Sequence, residues 1–240
     1  MNIKAFTTIL STETHLALRQ GDMPFFGIIF PAALMLLMGF LSSPEGLITA
    51  FCGISVIGIS ASGLMGIPLT FSNYRHAGIL KRFKVTPASP AILLLAVGTL
   101  QTLFALVSGL SVFVIAHLFF SLSIPGNPFS YILTFIFVQF SVYSLGVLVA
   151  ALAPNIKIAN IVCMLLYFPM LLLSGATIPY HILPKGLTLI TDYFPLTQGI
   201  ILLQKAATNQ RFDGDIFRIV LITVIALVCY LTALKTFRWE

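Results

Sequence analysis

Residues 72–90 read SNYRHAGILKRFKVTPASP and carry four of the thirteen basic residues of the chain. They follow a long apolar segment, and the 72 residues from 85 to 156 contain no Lys, Arg, Asp or Glu. Basic loops between long apolar segments are typical of the cytoplasmic side of multispanning membrane proteins. The stretch therefore predicts a membrane protein in which this loop faces the cytoplasm.

Within the loop, the spacing of Ile79, Leu80 and Phe83 would place all three side chains on one face of a short helix. The basic residues between 81 and 84 would lie mostly on the remaining surface, and the prolines that follow would end the helix. The pattern predicts a small amphipathic helix exposed to the cytoplasm. Taken alone, it fits an anchor of membrane topology as well as it fits a docking element.

The composition leaves only the class of polytopic membrane proteins. Hydrophobic residues make up 58% of the 240 residues, charged residues 8%, and the mean hydropathy is +1.04. This length accommodates about six spans of roughly 20 residues. The net charge of +6 lies mostly in segments predicted to face anionic lipid headgroups, so no nucleic-acid partner is expected. The three cysteines lie in apolar spans at unrelated spacings and predict neither a disulfide framework nor a metal site.

The chain is predicted to be all-α, with a single membrane domain over residues 1–240. Residues 1–22 are predicted to form an amphipathic helix at the membrane surface. Small residues repeat every four positions in the second span, at Gly58, Ser62 and Gly66, and would let another helix approach closely. The extracellular segment 179–215 contains two apolar pieces that are too short to span a bilayer, so it is predicted to form a short re-entrant or interfacial helix pair. The predicted spans are 25–41, 47–71, 91–120, 130–153, 158–178 and 216–237.

The distribution of basic residues predicts that both termini are cytoplasmic. With the amino terminus inside, nine bases face the cytoplasm and four face the outside, as the positive-inside rule requires. The inner bases are Lys4, Arg19, Arg75, Lys81, Arg82, Lys84, Lys157, Lys235 and Arg238. The outer bases are Lys185, Lys205, Arg211 and Arg218.

Motifs for catalysis or energy coupling are missing from the sequence. It contains no GxxxxGK[ST] phosphate loop, no HExxH, no CxxC and no GxSxG. The predicted spans carry no Asp, Glu, Lys or Arg at mid-depth, although proton-coupled carriers and intramembrane enzymes usually need ionisable groups there. We therefore expect a protein that is not an enzyme, binds no cofactor itself and takes its driving energy from elsewhere.

Two stretches give the chain its resemblance to ABC-2 type transporter permeases, the membrane subunits of bacterial multidrug and daunorubicin-type exporters. The first, residues 74–87, resembles the cytoplasmic motif of that family. In the second, Leu173, Ser174 and Gly175 are followed by prolines and by the run 194–197, FPLT, which is similar to the segment after the family's fifth span. The positions that match the cytoplasmic motif are Gly78, Leu80, Arg82, Val85, Thr86 and Pro87. His76 and Lys81 stand where the family often has acids, and Ile79 where it often has Thr.

The resemblance implies that the loop helix is a coupling helix seated in a groove of a separate ABC ATPase, which would be present in two copies and bind ATP and Mg²⁺. The implied coupling residues are Gly78, Ile79, Leu80, Lys81, Arg82 and Phe83. It also implies a second permease copy or a sibling permease, and a translocation path lined by the second and fifth spans. Candidates for that path are Ser60, Met164, Tyr167, Phe168 and Met170. Helix packing is the alternative explanation for each of these five.

The resemblance implies ATP-driven export of an amphipathic drug, antibiotic or lipid-like molecule across a bacterial cell membrane. The lipid bilayer and a hydrophobic or amphipathic substrate are then expected partners. Two alternatives remain open. One is export of polysaccharide or teichoic-acid precursors, and the other is a non-transporting immunity or sensor module of the membrane.

Overall fold

A computed structural model describes residues 3–84, 90–175, 185–212 and 214–237. Within these residues every regular element is a helix, which confirms the all-α prediction. Two of the helices contain a π-helical turn, at Phe25–Ile29 and at Ala61–Gly66. The ten helices are α1 (Ile3–Gln20), α2 (Asp22–Leu41), α3 (44–76, comprising Pro44–Ser60, Ala61–Gly66 and Ile67–His76), α4 (Ile79–Lys84), α5 (Pro90–Phe120), α6 (Pro128–Leu152), α7 (Ile156–Leu173), α8 (Lys185–Thr191), α9 (Pro195–Ala207) and α10 (Ile216–Thr236).

Six of these helices are long and apolar enough to cross a membrane, namely α2, α3, α5, α6, α7 and α10. This confirms the predicted number of spans, and the helix bounds agree with the prediction to within a few residues. The main difference lies at the end of the second span. We predicted a loop from residue 72 onward, but α3 continues to His76, so Arg75 belongs to the helix. The residues 176–178 at the predicted end of the fifth span lie outside the described part of the chain.

Helix α3 lies at the centre of the protein. In the most apolar 18-residue stretch of α3, 83% of the residues are buried inside the protein. In the corresponding stretches of the other five spans, 22–50% of the residues are buried. A Cβ atom added to Gly146 of α6 would lie 2.0 Å from the carbonyl oxygen of Gly63, so the two backbones are in direct contact. Gly58 and Gly66 lie similarly close to side chains of α5. The small residues of α3 therefore allow the close helix packing that the sequence predicted.

Buried hydroxyl groups connect α3, α5 and α6 next to the π-helical turn. The Ser62 hydroxyl lies 2.9 Å from the hydroxyl of Tyr143, which donates a hydrogen bond to the main-chain oxygen of Gln101 at 2.6 Å. On the other side of α6, Tyr230 of α10 donates to the main-chain oxygen of Phe140 at 3.1 Å. Since polar groups in an apolar environment are costly unless they are paired, these contacts favour one arrangement of the helices.

The predicted pair of short helices after the fifth span is present as α8 and α9. Helix α9 begins at Pro195. Amide groups in the first turn of a helix have no partner within the helix, so the missing amide hydrogen of proline costs nothing there. Most of its residues are buried, and it packs against α6 and the amino-terminal part of α3. The depth of this pair in the bilayer stays a prediction, as does the interfacial position of α1.

Candidate coupling helix and substrate path

The coupling motif begins in a tight turn between α3 and α4. The amide of Ala77 donates to the carbonyl of Asn73 at 2.8 Å, and the amide of Gly78 donates to the carbonyl of Arg75 at 3.1 Å. Gly78 adopts a φ of +67°, a left-handed conformation that costs other residues about 1–2 kcal/mol. The glycine of the motif therefore ends α3, and α4 starts at the next residue, Ile79.

Arg75 fixes the end of α3 to the rest of the protein. Its guanidinium donates to the carbonyl oxygens of Ala153, at 2.5 Å, and Ala150, at 3.0 Å, and it lies 5.9 Å from the ring centre of Phe237. Ala150 belongs to the last turn of α6 and Ala153 directly follows this helix, at an end where a cation also interacts favourably with the helix dipole. Sequence reasoning counted Arg75 only as a cytoplasmic base. Arg75 lies three residues before Gly78 of the motif, and this spacing was the sequence feature that could have indicated its role in positioning the chain reversal at Gly78.

Leu80 does not form part of an exposed docking surface. Its side chain is only 1% exposed and packs into the main core, whereas Ile79 is half-buried and Lys81 is exposed. Leu80 is therefore not available within this chain for the apolar docking face predicted with Ile79 and Phe83, and the coupling role of these residues stays a prediction. The reason is that a helix as short as α4 lies directly on the protein, which buries its most inward residue. The side chains of Arg82 and Phe83 lie outside the described residues.

A hydrogen bond ties the amino-terminal helix to the same region. The hydroxyl of Tyr74 near the end of α3 donates to the carboxylate of Glu13 in α1. Burial raises the pKa of Glu13, and the bond from Tyr74 offsets part of that effect. The sequence showed Glu13 only as an interruption of the apolar face of α1. Its partner lies 61 residues away and could not be found from local spacing.

The five candidate path residues are not brought together on one surface. Ser60 is completely buried, and its hydroxyl donates to the carbonyl of Val56 at 2.7 Å. Tyr167 and Met170 of α7 are also buried, at 7% and 8% exposure, whereas Met164 and Phe168 are 47% and 49% exposed. Within this chain, Ser60, Tyr167 and Met170 are therefore packed inside the protein, whereas Met164 and Phe168 lie on an exposed face of α7, and a role of any of the five in a translocation path stays a prediction.

Two cavities lie outside these predicted positions. One of about 700 Å³ is mainly apolar and lies between α3, α5 and α6. The other, of about 390 Å³, lies between α1, α3, α5 and α7 beside Glu13, and it contains Asp22 and Gln101. Sequence reasoning anticipated neither of them. The only local signal for the second was Gln101, a polar residue in a long span.

Comparison with known families identifies the class of this chain. Residues 4–207 match the family described as ABC-2 type transporter. The chain therefore belongs to the ABC-2 type transporter family and is a membrane component of an ABC transport system. No curated protein and no solved structure shows significant similarity to it. Membership implies an ABC ATPase as partner, since the ABC-2 membrane component is the permease and not the ATPase.

Proposed function

We propose that this chain is the permease subunit of an ATP-driven exporter that moves amphipathic drugs, antibiotics or lipid-like molecules outward. The observation that carries the proposal is the turn and helix formed by residues 77–84. Gly78 reverses the chain, α4 follows at once, and Arg75 holds this unit against the last turn of α6. A rigid unit of this kind can transmit a push from a partner to the spans.

In this proposal the ATPase, in two copies, binds ATP and Mg²⁺ and docks on the cytoplasmic side at α4. Lys81 is exposed and contributes to the choice and register of the partner, since charges at the edge of an interface act mainly in this way. Arg82 and Phe83 are proposed as further contacts. Closure of the ATPase dimer would then move α4 and, through Arg75, α3 and α6.

A second permease copy, or a sibling permease, completes the complex in this proposal. The outer face of α7 carries several exposed apolar side chains, among them Ile161, Leu165 and Leu172, together with Met164 and Phe168. Such a face suits either lipid or a second copy. If a second copy covers it, Met164 and Phe168 would line the path between the copies.

The test is affinity purification of the tagged chain from its native membrane in a mild detergent. We expect an ABC ATPase to copurify, and we expect ATP hydrolysis by the complex but not by the isolated chain. Inside-out membrane vesicles should accumulate an amphipathic dye only when ATP is supplied. Purification without any ATPase, or ATP hydrolysis by the isolated chain, would contradict the proposal.

A further inference from the structure

The cavity of about 390 Å³ lies where α1, the first residues of α2, the end of α3, α5 and α7 meet. Its volume falls within the range of about 300–1,000 Å³ that is usual for small-molecule sites. Among its lining residues Val97 and Leu100 are buried, whereas Gln20 and Asp22 are exposed. The pocket is therefore lined both by exposed polar residues and by buried apolar ones.

The charged residues that line this pocket are both acids. Glu13 is half-buried and Asp22 is exposed, and no Lys, Arg or His is among the described residues that line the pocket. The chain as a whole has a net charge of +6, and this end of the protein is predicted to be its more basic side. Arg19 and Lys157 are sequence neighbours of lining residues without lining the pocket themselves. The pocket is therefore an acidic site on a basic protein.

Gln101 supplies a second, independent feature of the pocket. Its side chain is only 2% exposed and lines the pocket, and its Oε1 atom has no hydrogen-bond partner among the described residues. A buried acceptor without a partner is unfavourable, so a donor group on a bound molecule would stabilise it. The π-helical turn that ends at Gly66 places this part of α3 beside Gln101. Such turns occur frequently at functional sites.

The state of Glu13 points in the same direction. Burial raises the pKa of its carboxyl group, and the carboxylate accepts a hydrogen bond from the neutral hydroxyl of Tyr74. A cation in the pocket would replace part of the lost hydration and favour the charged carboxylate. The apolar walls, which include Leu69, Val97 and Leu100, do not suit an inorganic cation, because such an ion needs several oxygen ligands or water.

We propose that this pocket binds an amphipathic organic cation. Its ammonium group lies near Glu13 and Asp22, its apolar body contacts Leu100 and neighbouring walls, and a donor on it reaches Oε1 of Gln101. That the bound cation is cargo on its way out rests on the proposed export function, but the binding site itself does not.

The test measures binding by the purified full-length chain in nanodiscs of zwitterionic phosphatidylcholine. The probe is a dansyl-aminohexyl trimethylammonium ion, and the matched uncharged probe is dansyl-aminohexanol. Dansyl fluorescence reports both titrations. We expect the cation to bind at least roughly tenfold more tightly than the alcohol, as a hydrogen-bonded or paired charge typically contributes. Equal affinity for the two probes would overturn the proposal.

Variants then locate the site. Glu13→Gln and Asp22→Asn should each weaken binding of the cation by several-fold, to roughly tenfold, with little effect on the alcohol. Ala17→Phe, which places a ring in the pocket, should weaken binding of both probes. The matched control is Glu45→Gln at the other end of α3, 28 residues before Asn73 and so about 42 Å away along the helix. If the cation binds the three pocket variants as it binds the unmodified chain and the Glu45→Gln control, the pocket is not its site.

Gln101→Met keeps the length of the side chain and removes the acceptor. A probe with a secondary ammonium group has N–H donors and the quaternary probe has none. The substitution should therefore weaken binding of the secondary ammonium probe more than binding of the quaternary probe. Each variant is compared only when it elutes as a monodisperse peak, and Ala17→Leu replaces Ala17→Phe if the ring prevents folding. Because no ATPase is present, these titrations do not depend on transport. If the cation binds but vesicles show no ATP-dependent uptake, the binding site is supported and the export function is rejected.

Discussion

Asp215 is a buried carboxylate that two cations hold in the charged state. Its side chain is fully buried at the start of α10, and it accepts hydrogen bonds from Lys205 at 2.5 Å and Arg218 at 2.6 Å. Burial alone would raise the pKa of Asp215, but the bonds and charges of the two cations outweigh it and lower the pKa below the ordinary value. The triad thereby connects the end of α9 to the start of α10.

This arrangement predicts a dependence of stability on pH. Because the folded pKa of Asp215 is lowered, its contribution is fully present above the ordinary Asp pKa of about 3.9 and is lost as the pH falls through the folded pKa. Asp215→Asn should destabilise the protein by about 2 kcal/mol at pH 7 and should reduce the further loss of stability on acidification. The measurement is the temperature at which the monodisperse peak is lost in size-exclusion chromatography, between pH 7.5 and 3.

The control for this prediction is Asp22→Asn, which removes an exposed carboxylate. It should leave the transition temperature at pH 7 unchanged, since exposed charges contribute little. An equal loss of stability in both variants would mean that Asp215 is no more important than a surface charge.

These residues show what the sequence could not predict. Lys205 and Arg75 were recognised as bases, but their partners, a carboxylate and two carbonyls, lie outside their own helices, and this pairing depends on how the helices pack. Leu80 and Tyr167 were recognised as apolar or aromatic. Which face of a helix points inward is settled by neighbouring helices and not by spacing within one apolar segment.

The helices themselves were largely predictable. Six apolar segments of sufficient length gave the six spans, Gly78 marked the turn between α3 and α4, and Pro90 marked the first residue of α5. The π-helical turn Ala61–Gly66 was not predictable, because its small residues are equally compatible with an ordinary helix. The extension of α3 to His76 was missed because we used polarity to end the span, whereas a helix can continue beyond the apolar part of a membrane.

Helix α4 allows packing and docking to be separated by substitution. Leu80→Ala removes a buried side chain and should cost about 2–5 kcal/mol, with lower thermal stability whether or not an ATPase is present. Lys81→Glu alters an exposed neighbour and should leave stability unchanged while weakening ATPase binding in a salt-dependent way. Copurification of the ATPase at low and high salt, together with thermal stability, measures both effects. If Leu80→Ala were fully stable yet lost the ATPase, Leu80 would be a docking residue after all.

The arrangement of the chain in the membrane is predicted from the distribution of its charges. Nine bases lie in segments predicted to be cytoplasmic and four in segments predicted to be outside, which favours both termini inside. The native cysteines Cys52, Cys163 and Cys229 are buried, so replacing them by alanine or serine gives a background for labelling. Ser72, although it belongs to the cytoplasmic loop by sequence, is buried and would not react from either side.

Exposed positions therefore serve as the reporters of topology. Single cysteines at Ser123 and Gln210 should react in intact cells with a membrane-impermeant maleimide, because both lie in predicted outer segments and are exposed. Cysteines at Thr12 and Ala77 are equally exposed but should react only after the membrane is opened. The readout is the mass shift of the labelled chain, with permeabilised cells as the control for reactivity. Labelling of Ala77 in intact cells would place α4 outside, where no ATP-driven partner could reach it, and would reject its role as the coupling helix.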